Sequence, residues 1–495
     1  MQYVLALDIG TSAVKAALVN VRGQQVAIGR HEYELETPSP GIVELEPEMY
    51  WSAVQSAISI VLASPDADVS EIGFLGVTSQ GETLIVLDES GQPLRKAIVW
   101  LDNRAENEAR GISEAFDVDE VYRQTGQQTI ISGATAPRIL WLRNHEPAVF
   151  RKAARFLLVE DYIIFRLTGR YVSDHAINSS TLYYDLTAHG WWQKMLDFLG
   201  ISRSQLPELL YSGEHVGQVR ADIGLSTNTG VTSTPMDQIT GAVGAGNVAP
   251  GIVTETTGSA LAVCASSARP VYDPHRRVGL YCHAKRDVYV LLPWVPTAGI
   301  ILRWFRDELG GERSFAELTE EAQAVPVGCH GLTMLPHFGG ALAPDVNPAA
   351  RGVLYGLSLT HTRAHLVRAI MEAISFMLKD NLDMLESLGV ATGTVCSLGG
   401  GAQNDLWLQI KANVLGRKVV TPDVREAACQ GVAIIAAVAG GEYTNIEEAV
   451  KEMVKIERSF APEKGAVEAY GRVYEEYRHL NEMLLPTFGG LTETP

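Results

Sequence analysis

Residues 3–21 read YVLALDIGTSAVKAALVNV. Tyr3 to Ile9 is apolar and rich in β-formers, Gly10-Thr11-Ser12 is a turn, and Ala13 to Val21 is apolar again. Two such runs around a short glycine-containing turn predict a β-hairpin. Gly23-Gln24 then turns the chain into Val26-Ala27-Ile28. The same grammar returns at residues 252–265, IVTETTGSALAVCA, where Thr257-Gly258-Ser259 takes the place of the first turn. The repeat predicts two related halves that meet near Asn247–Gly251, giving expected domains of 1–248 and 249–495.

Helices are legible between these runs. Pro47 sits at a helix start, and Trp51, Val54, Ile58, Val61 and Leu62 keep a helical stripe. Leu366, Ile370, Ile374, Met377 and Leu378 make a second stripe, closed by Gly389. Leu406, Ile410 and Val414 make a third, with Asn404 or Asp405 as cap and Gly416 as stop. The Ala- and Gly-dense stretch 426–441 predicts a helix packed very close to a neighbour. Strands alternate with helices throughout, so the class is α/β.

With 495 residues, 46% hydrophobic and 20% charged, the chain can bury large cores without covalent staples. A net charge of −18 with no basic stripe argues against nucleic acid and anionic membranes as partners. Phosphate ligands stay open, because backbone amides and a metal ion hold them locally. None of the five cysteines lies within four residues of another, so no zinc knuckle or redox pair is written, and reduced thiols of a cytoplasmic protein are expected. The N-terminus meets Asp8 without a basic segment before it and reads as a strand, not a signal peptide. No uncharged apolar run reaches the ~18 residues of a membrane span.

Five constellations can carry chemistry. Asp8 ends an apolar strand, where a carboxylate wants a cation such as Mg²⁺. Gly10 lets the backbone approach a phosphate, Thr11 and Ser12 offer amides and hydroxyls, and Lys15 adds a point charge. Thr256-Thr257-Gly258-Ser259 repeats that logic in the other half, so two turns could grip one polyphosphate from both sides. Gly399-Gly400-Gly401-Ala402 precedes a helix N-terminus and permits close approach of a nucleotide. In Met236-Asp237-Gln238-Ile239-Thr240-Gly241 a single acid could accept a proton from a substrate hydroxyl or cap a helix; the two roles are compatible. Gln80-Gly81-Glu82, with Trp100-Leu101-Asp102-Asn103-Arg104, suits a polyhydroxylated ligand or an exposed loop. Gly244-Ala245-Gly246-Asn247-Val248-Ala249 matches the GxGxxA dinucleotide pattern, but Pro250-Gly251 follows at once, so no helix should open there.

In order along the chain these pieces resemble the FGGY family of carbohydrate kinases. Residues Gly133 to His145 (GATAPRILWLRNH) are similar to the first family signature, with Arg138 where the family usually has Lys. Gly352-Val353-Leu354-Tyr355-Gly356-Leu357, then His365-Leu366 through Glu372, are similar to the second. The resemblance implies a two-domain, ribonuclease-H-like, actin-like fold with ATP and sugar meeting in the cleft between the domains. It implies Asp237 as catalytic base and Asp8, Thr11, Ser12 and Lys15 as the first phosphate turn, with Mg²⁺ at Asp8. It further implies Gly258, Ser259, Gly299, Gly400, Gly401 and Asn404 as nucleotide contacts. Gln80, Gly81, Glu82, Trp100, Asp102, Asp237 and Gln238 are expected around the substrate. Gln80-Gly81-Glu82-Thr83 resembles the glycerol-kinase QRET segment, with Gly81 where that has Arg. The Met-His pair of xylulokinases is missing, while Trp100 and Asp102 look like the xylulokinase pattern. The expected activity is ATP-dependent phosphorylation of a primary hydroxyl of a small sugar or polyol, with a pentulose favoured and a glycerol- or tetritol-type polyol as alternative. An actin-like ATP-binding module without sugar chemistry is the reading from another class. A homodimer is one assembly compatible with the sequence.

Overall fold

The computed structural model describes residues 2–65, 68–220 and 223–490. Strands β1 (Tyr3–Ile9), β2 (Ala13–Asn20) and β3 (Gln25–Glu32) form an antiparallel meander, followed by helix α1 (Pro47–Leu62). Strand β4 (Ile72–Ser79) lies parallel to β1. After helix α2 (Val159–Thr168), β5 (Gly230–Ser233) pairs parallel to β4, and helix α3 (Asp237–Gly244) follows. The sheet order is β3-β2-β1-β4-β5, with His215–Gln218 on the outer edge.

The second sheet repeats this plan. Strands β6 (Ile252–Thr257), β7 (Leu261–Ser267) and β8 (Tyr289–Leu292) are antiparallel. Helices α4 (Gly299–Leu309), α5 (Phe315–Gln323) and α6 (Arg363–Ser387) come next. Strand β9 (Thr394–Leu398) is parallel to β6, helix α7 (Asp405–Leu415) follows, β10 (Val419–Pro422) is parallel to β9, and helix α8 (Ala427–Ala439) follows β10. The order β8-β7-β6-β9-β10 matches that of the first sheet strand for strand. The repeat visible in two short turns therefore extends to a whole α/β unit. The GxGxxA match falls at the end of α3 and leads into β6, so no helix opens on it.

The alternation of β1 decides where its acid points. Successive side chains of a strand face opposite sides. Leu5, Leu7 and Ile9 share a core with Trp51, Val54, Ile58 and Val61 of α1. Val4 and Ala6 share a different core with Val243 of α3 and with Val432 and Ala436 of α8. Asp8 is the next position on that second face, so it leaves the sheet beside the helices from both halves.

Helices α3 and α8 touch backbone to backbone, as the Ala- and Gly-rich composition implied. A Cβ on Gly431 would lie 1.8 Å from the Thr240 carbonyl oxygen, and one on Gly244 would lie 2.0 Å from that of Ala427. Backbone cannot move aside as a flexible side chain does. Gly431→Ala is therefore expected to cost about 3 kcal/mol or more, above the usual overpacking penalty. Thermal unfolding of the variant checks this; an unchanged midpoint would contradict it.

Three acids lie buried behind the loop that follows β4. Glu160 and Asp161 open α2, and Asp174 lies beside them. The Glu160 N–H donates to Ser79 Oγ, and Glu160 Oε1 accepts from the Thr234 N–H. Glu160 Oε2 and Asp161 Oδ1 have no hydrogen-bond partner. Burial pushes Asp161 and Asp174 up to about 7 and Glu160 well above its ordinary value. The folded chain thus keeps protons that the unfolded chain releases above about pH 4. That stabilisation is full below this pH and is lost as pH rises through about 7. The melting temperature should fall from about pH 5 to about pH 7, and Glu160→Gln should flatten that fall. An unaltered slope in the variant would contradict the assignment.

All five cysteines are free and buried. Among the described residues, no helix is long and apolar enough to cross a membrane.

Candidate functional site

The first turn brings a carboxylate and an ammonium together by register, since Asp8 on β1 faces Lys15 on β2. Lys15 Nζ lies 3.7 Å from Asp8 Oδ2 and 2.6 Å from Glu426 Oε2, at the N-cap of α8. Burial pushes Asp8 up to about 6, against the pull of Lys15 and with a further push from Glu426. Burial works against the Lys15 charge, but Asp8 and Glu426 hold its ammonium above the ordinary lysine value. Asp8 Oδ1 is buried and accepts no hydrogen bond. A buried carboxylate oxygen without a donor is what a hard divalent cation such as Mg²⁺ would use, so the donor chemistry fits that ion. Lys15 is more committed than the sequence implied, because Glu426 already engages it.

Asp237 is the first residue of α3. Its Oδ1 accepts the Gln238 N–H at 2.6 Å, and the helix N-terminus favours negative charge there. Burial nevertheless pushes Asp237 up to about 7, and the charges of Asp8 and Glu82 push the same way.

The second turn is closed by its own backbone. The Gly258 N–H donates to Ala260 O at 2.9 Å, the Gly299 N–H to Gly258 O at 2.9 Å, and the Ala298 N–H to Ser259 O at 2.8 Å. A Cβ on Gly299 would lie 2.4 Å from Gly258 O, so only glycine fits at the start of α4. Gly399 sits in the left-handed region at φ +77 and turns the chain from β9 toward α7.

Two cavities share wall residues here, the first within the second half and the second between the halves. One, of about 800 Å³, is lined by Gly258, Ser259, Gly299, Phe315, Gly401 and Trp407 among others. The other, of about 770 Å³, is lined by Asp8, Lys15, Asp237, Gln238, Ser397 and Glu426 among others. Gly400 and Gln403 line both. Each volume suits a small-molecule ligand. Asn404 borders the larger cavity, but its Oδ1 caps α7 by accepting from the Trp407 N–H and its Nδ2 donates to Thr319 Oγ1 at 2.7 Å. These two bonds fix the orientation of its side chain at the cavity wall.

Thr11 and Ser12 are not among the residues lining either cavity. Thr11 is tied to the Gln80–Glu82 and Trp100 cluster, because Trp100 Nε1 donates to its Oγ1 at 2.9 Å. In that cluster Gln80 is buried, with Nε2 on Tyr50 Oη at 3.1 Å and Oε1 without a partner. Glu82 is held in the left-handed region at φ 55, at a cost of about 1–3 kcal/mol. Its carbonyl is clamped by Arg138 Nη1 at 2.8 Å and Thr135 Oγ1 at 3.1 Å. A Cβ on Gly81 would meet Ser180 Oγ at 3.4 Å and Met236 Sδ at 3.7 Å, which places this loop against the residue before Asp237.

Asp102 corrects the sequence reading. It is fully buried; Oδ2 accepts from the Val43 N–H and Arg104 Nη2, and Oδ1 from the Arg104 backbone N–H and Nε. With both oxygens taken by its own chain it fixes the loop instead of meeting a ligand. The sequence reading assigned no role to Arg138, Gln403 or Glu426. Arg138 is fully buried and also binds Trp100 O at 2.6 Å, bracing the loops that carry Glu82 and Trp100. Its departure from lysine inside the first signature was the available signal.

The model of the N-terminal domain of the FGGY family of carbohydrate kinases matches residues 3–244, and that of the C-terminal domain matches residues 255–440. The chain is 31% identical over 484 residues to the xylulose kinase of Bacillus subtilis, covering 97% of each. It is 30% identical over 476 residues to the glycerol kinase of Thermococcus gammatolerans, covering 93% of this chain and 94% of that one. The crystal structure of xylulose kinase from Rhodospirillum rubrum gives a TM-score of 0.90 at 28% identity, covering 98% of this chain and 100% of that one.

Proposed function

The chain belongs to the FGGY family of carbohydrate kinases, phosphotransferases with an alcohol acceptor, and we propose that ATP is its donor and xylulose its acceptor. The observation that carries this reading is a pair of cavities that share Gly400 and Gln403 as walls, one lined by Gly258 and Ser259 and the other by Asp8 and Asp237. The nucleoside lies in the larger cavity against Phe315 and Trp407, with its phosphates running past Gly258-Ser259 and Gly400-Gly401 toward Asp8. The sugar lies against Gln80, Gly81, Glu82, Trp100 and Gln238, beside Asp237. Sheet membership supports domains of 1–248 and 249–495, with α8 of the second packed on the first.

Asp237 accepts the proton of a primary hydroxyl. The hydroxyl oxygen bonds to the γ-phosphorus in line, the bond from that phosphorus to the bridging oxygen breaks, and ADP leaves. Mg²⁺ held at Asp8 would supply charge neutralisation for the phosphates. Positioning and electrostatics do most of the catalytic work in such a transfer. Gly81 supports an acceptor longer than glycerol, because an arginine there would fill the space beside Ser180 and Met236.

Coupled ADP release across xylulose, other pentuloses, gluconate, glycerol and tetritols tests the acceptor. Xylulose should give the highest kcat/KM; glycerol outperforming every pentulose would overturn the assignment, and sugar-independent ADP release would favour the actin-like module. The pH profile follows from Asp237, which works only as carboxylate. The kcat/KM for sugar should rise about tenfold per pH unit up to about pH 7 and then level off. An acid limb near the ordinary aspartate value of about 4 would contradict the base assignment.

A further inference from the structure

Beneath the two nucleotide loops lies an ion pair that the mechanism does not use. Lys411 of α7 and Glu255 of β6 are both fully buried, with Lys411 Nζ 2.5 Å from Glu255 Oε1. Lys411 Nζ also donates to Thr257 Oγ1 at 2.9 Å and to Ser397 Oγ at 3.3 Å. Thr257 Oγ1 donates to Glu255 Oε2 at 2.7 Å, and Ser397 Oγ donates to Glu255 Oε1. The Lys411 ammonium also lies 5.3 Å from the centre of the Trp407 ring.

Three of the residues that Lys411 contacts lie on cavity walls. Thr257 and Trp407 line the larger cavity, and Ser397 lines the other. The three contacted elements lead into the loops: β6 runs into Gly258-Ser259, β9 into Gly399-Gly400-Gly401, and α7 begins just after Asn404. The loops are in backbone contact, since a Cβ on Gly399 would lie 2.9 Å from Thr257 O and one on Gly401 would lie 2.7 Å from Thr257 Cβ. A fully buried ion pair is a poor way to gain stability, because apolar residues of the same volume usually serve as well. Its directional bonds do set spacing, and this pair bonds to both loop-bearing strands at once.

We propose that Lys411 and Glu255 are positioning residues for the nucleotide, fixing the gap between the Gly258-Ser259 turn and the Gly399–Gly401 loop. The proposal rests on the reading that ATP occupies this space. The test is the double substitution Lys411→Met with Glu255→Met, which removes both charges and keeps the volumes. Calorimetric titration with ATP and with ADP gives affinity, and steady-state assays separate KM from kcat. The expected result is a folded protein whose affinity for both nucleotides falls at least tenfold, with KM for xylulose within twofold of wild type. A folded double variant with unchanged nucleotide affinity would overturn the proposal, whereas wild-type protein that binds no ATP would overturn the functional reading beneath it. If the pair fails to fold, Lys411→Met with Glu255→Gln, neutral but still hydrogen-bonding, is read the same way. Failure of both to fold would make the pair a stability element and end the positioning claim.

Discussion

Asp237→Asn is expected to lower kcat by about 10²–10⁴, the usual contribution of general base catalysis. Asparagine has the same shape and keeps an oxygen for the Gln238 N–H, which Asp237 Oδ1 accepts at 2.6 Å. The helix loses a favourable charge at its N-terminus, worth about 0.3–1 kcal/mol, but is also relieved of a half-buried carboxylate whose charge Asp8 and Glu82 oppose. The fold should therefore survive. Circular dichroism and the melting temperature check that, and nucleotide affinity should stay within about twofold, because Asp237 is assigned to the sugar hydroxyl. A kcat within tenfold of wild type would refute the base. The same variant separates the two classes of function, since an actin-like module has no need of this acid.

Gly258→Val should weaken ATP binding at least tenfold, or about 1.4 kcal/mol. The backbone there tolerates a side chain. The φ of Gly258 lies outside the left-handed region, and its Cβ would meet only Ala260 O, at 3.9 Å. Gly258 lines the cavity proposed for the nucleotide, so the added methyls are expected to take up space there. Gly299 makes the opposite case, because a Cβ there would strike Gly258 O at 2.4 Å and damage the turn itself. Loss of ATP affinity in Gly258→Val with an unchanged melting temperature would isolate the clamp. Wild-type affinity in that variant would count against two turns gripping one polyphosphate.

Much of the scaffold was legible because local rules agree with the tertiary outcome. The apolar, β-prone run Tyr3–Ile9 and the turn at Gly10-Thr11-Ser12 gave the first hairpin. Asn404 and Gly416 marked both ends of α7. The small residues of 426–441 announced a helix in backbone contact with another. What stayed hidden depends on partners far apart in the chain. Asp102 looked like a ligand group, and only the fold brings Val43 to saturate it. Lys15 looked free for phosphate until α8 delivered Glu426 to it. The space at Gly81 is set by Ser180 and Met236, neither of which any local pattern connects to it. The Lys411–Glu255 pair joins a strand and a helix that no motif relates.

A crystal structure with a non-hydrolysable ATP analogue, Mg²⁺ and xylulose bears most directly on the central claim. The terminal phosphate should lie between the Asp8–Ser12 turn and the Gly258-Ser259 turn, with the Asp237 carboxylate about 3 Å from a primary hydroxyl of the sugar. A triphosphate seated outside the two cavities, or a sugar whose hydroxyls all lie beyond hydrogen-bond reach of Asp237, would contradict it.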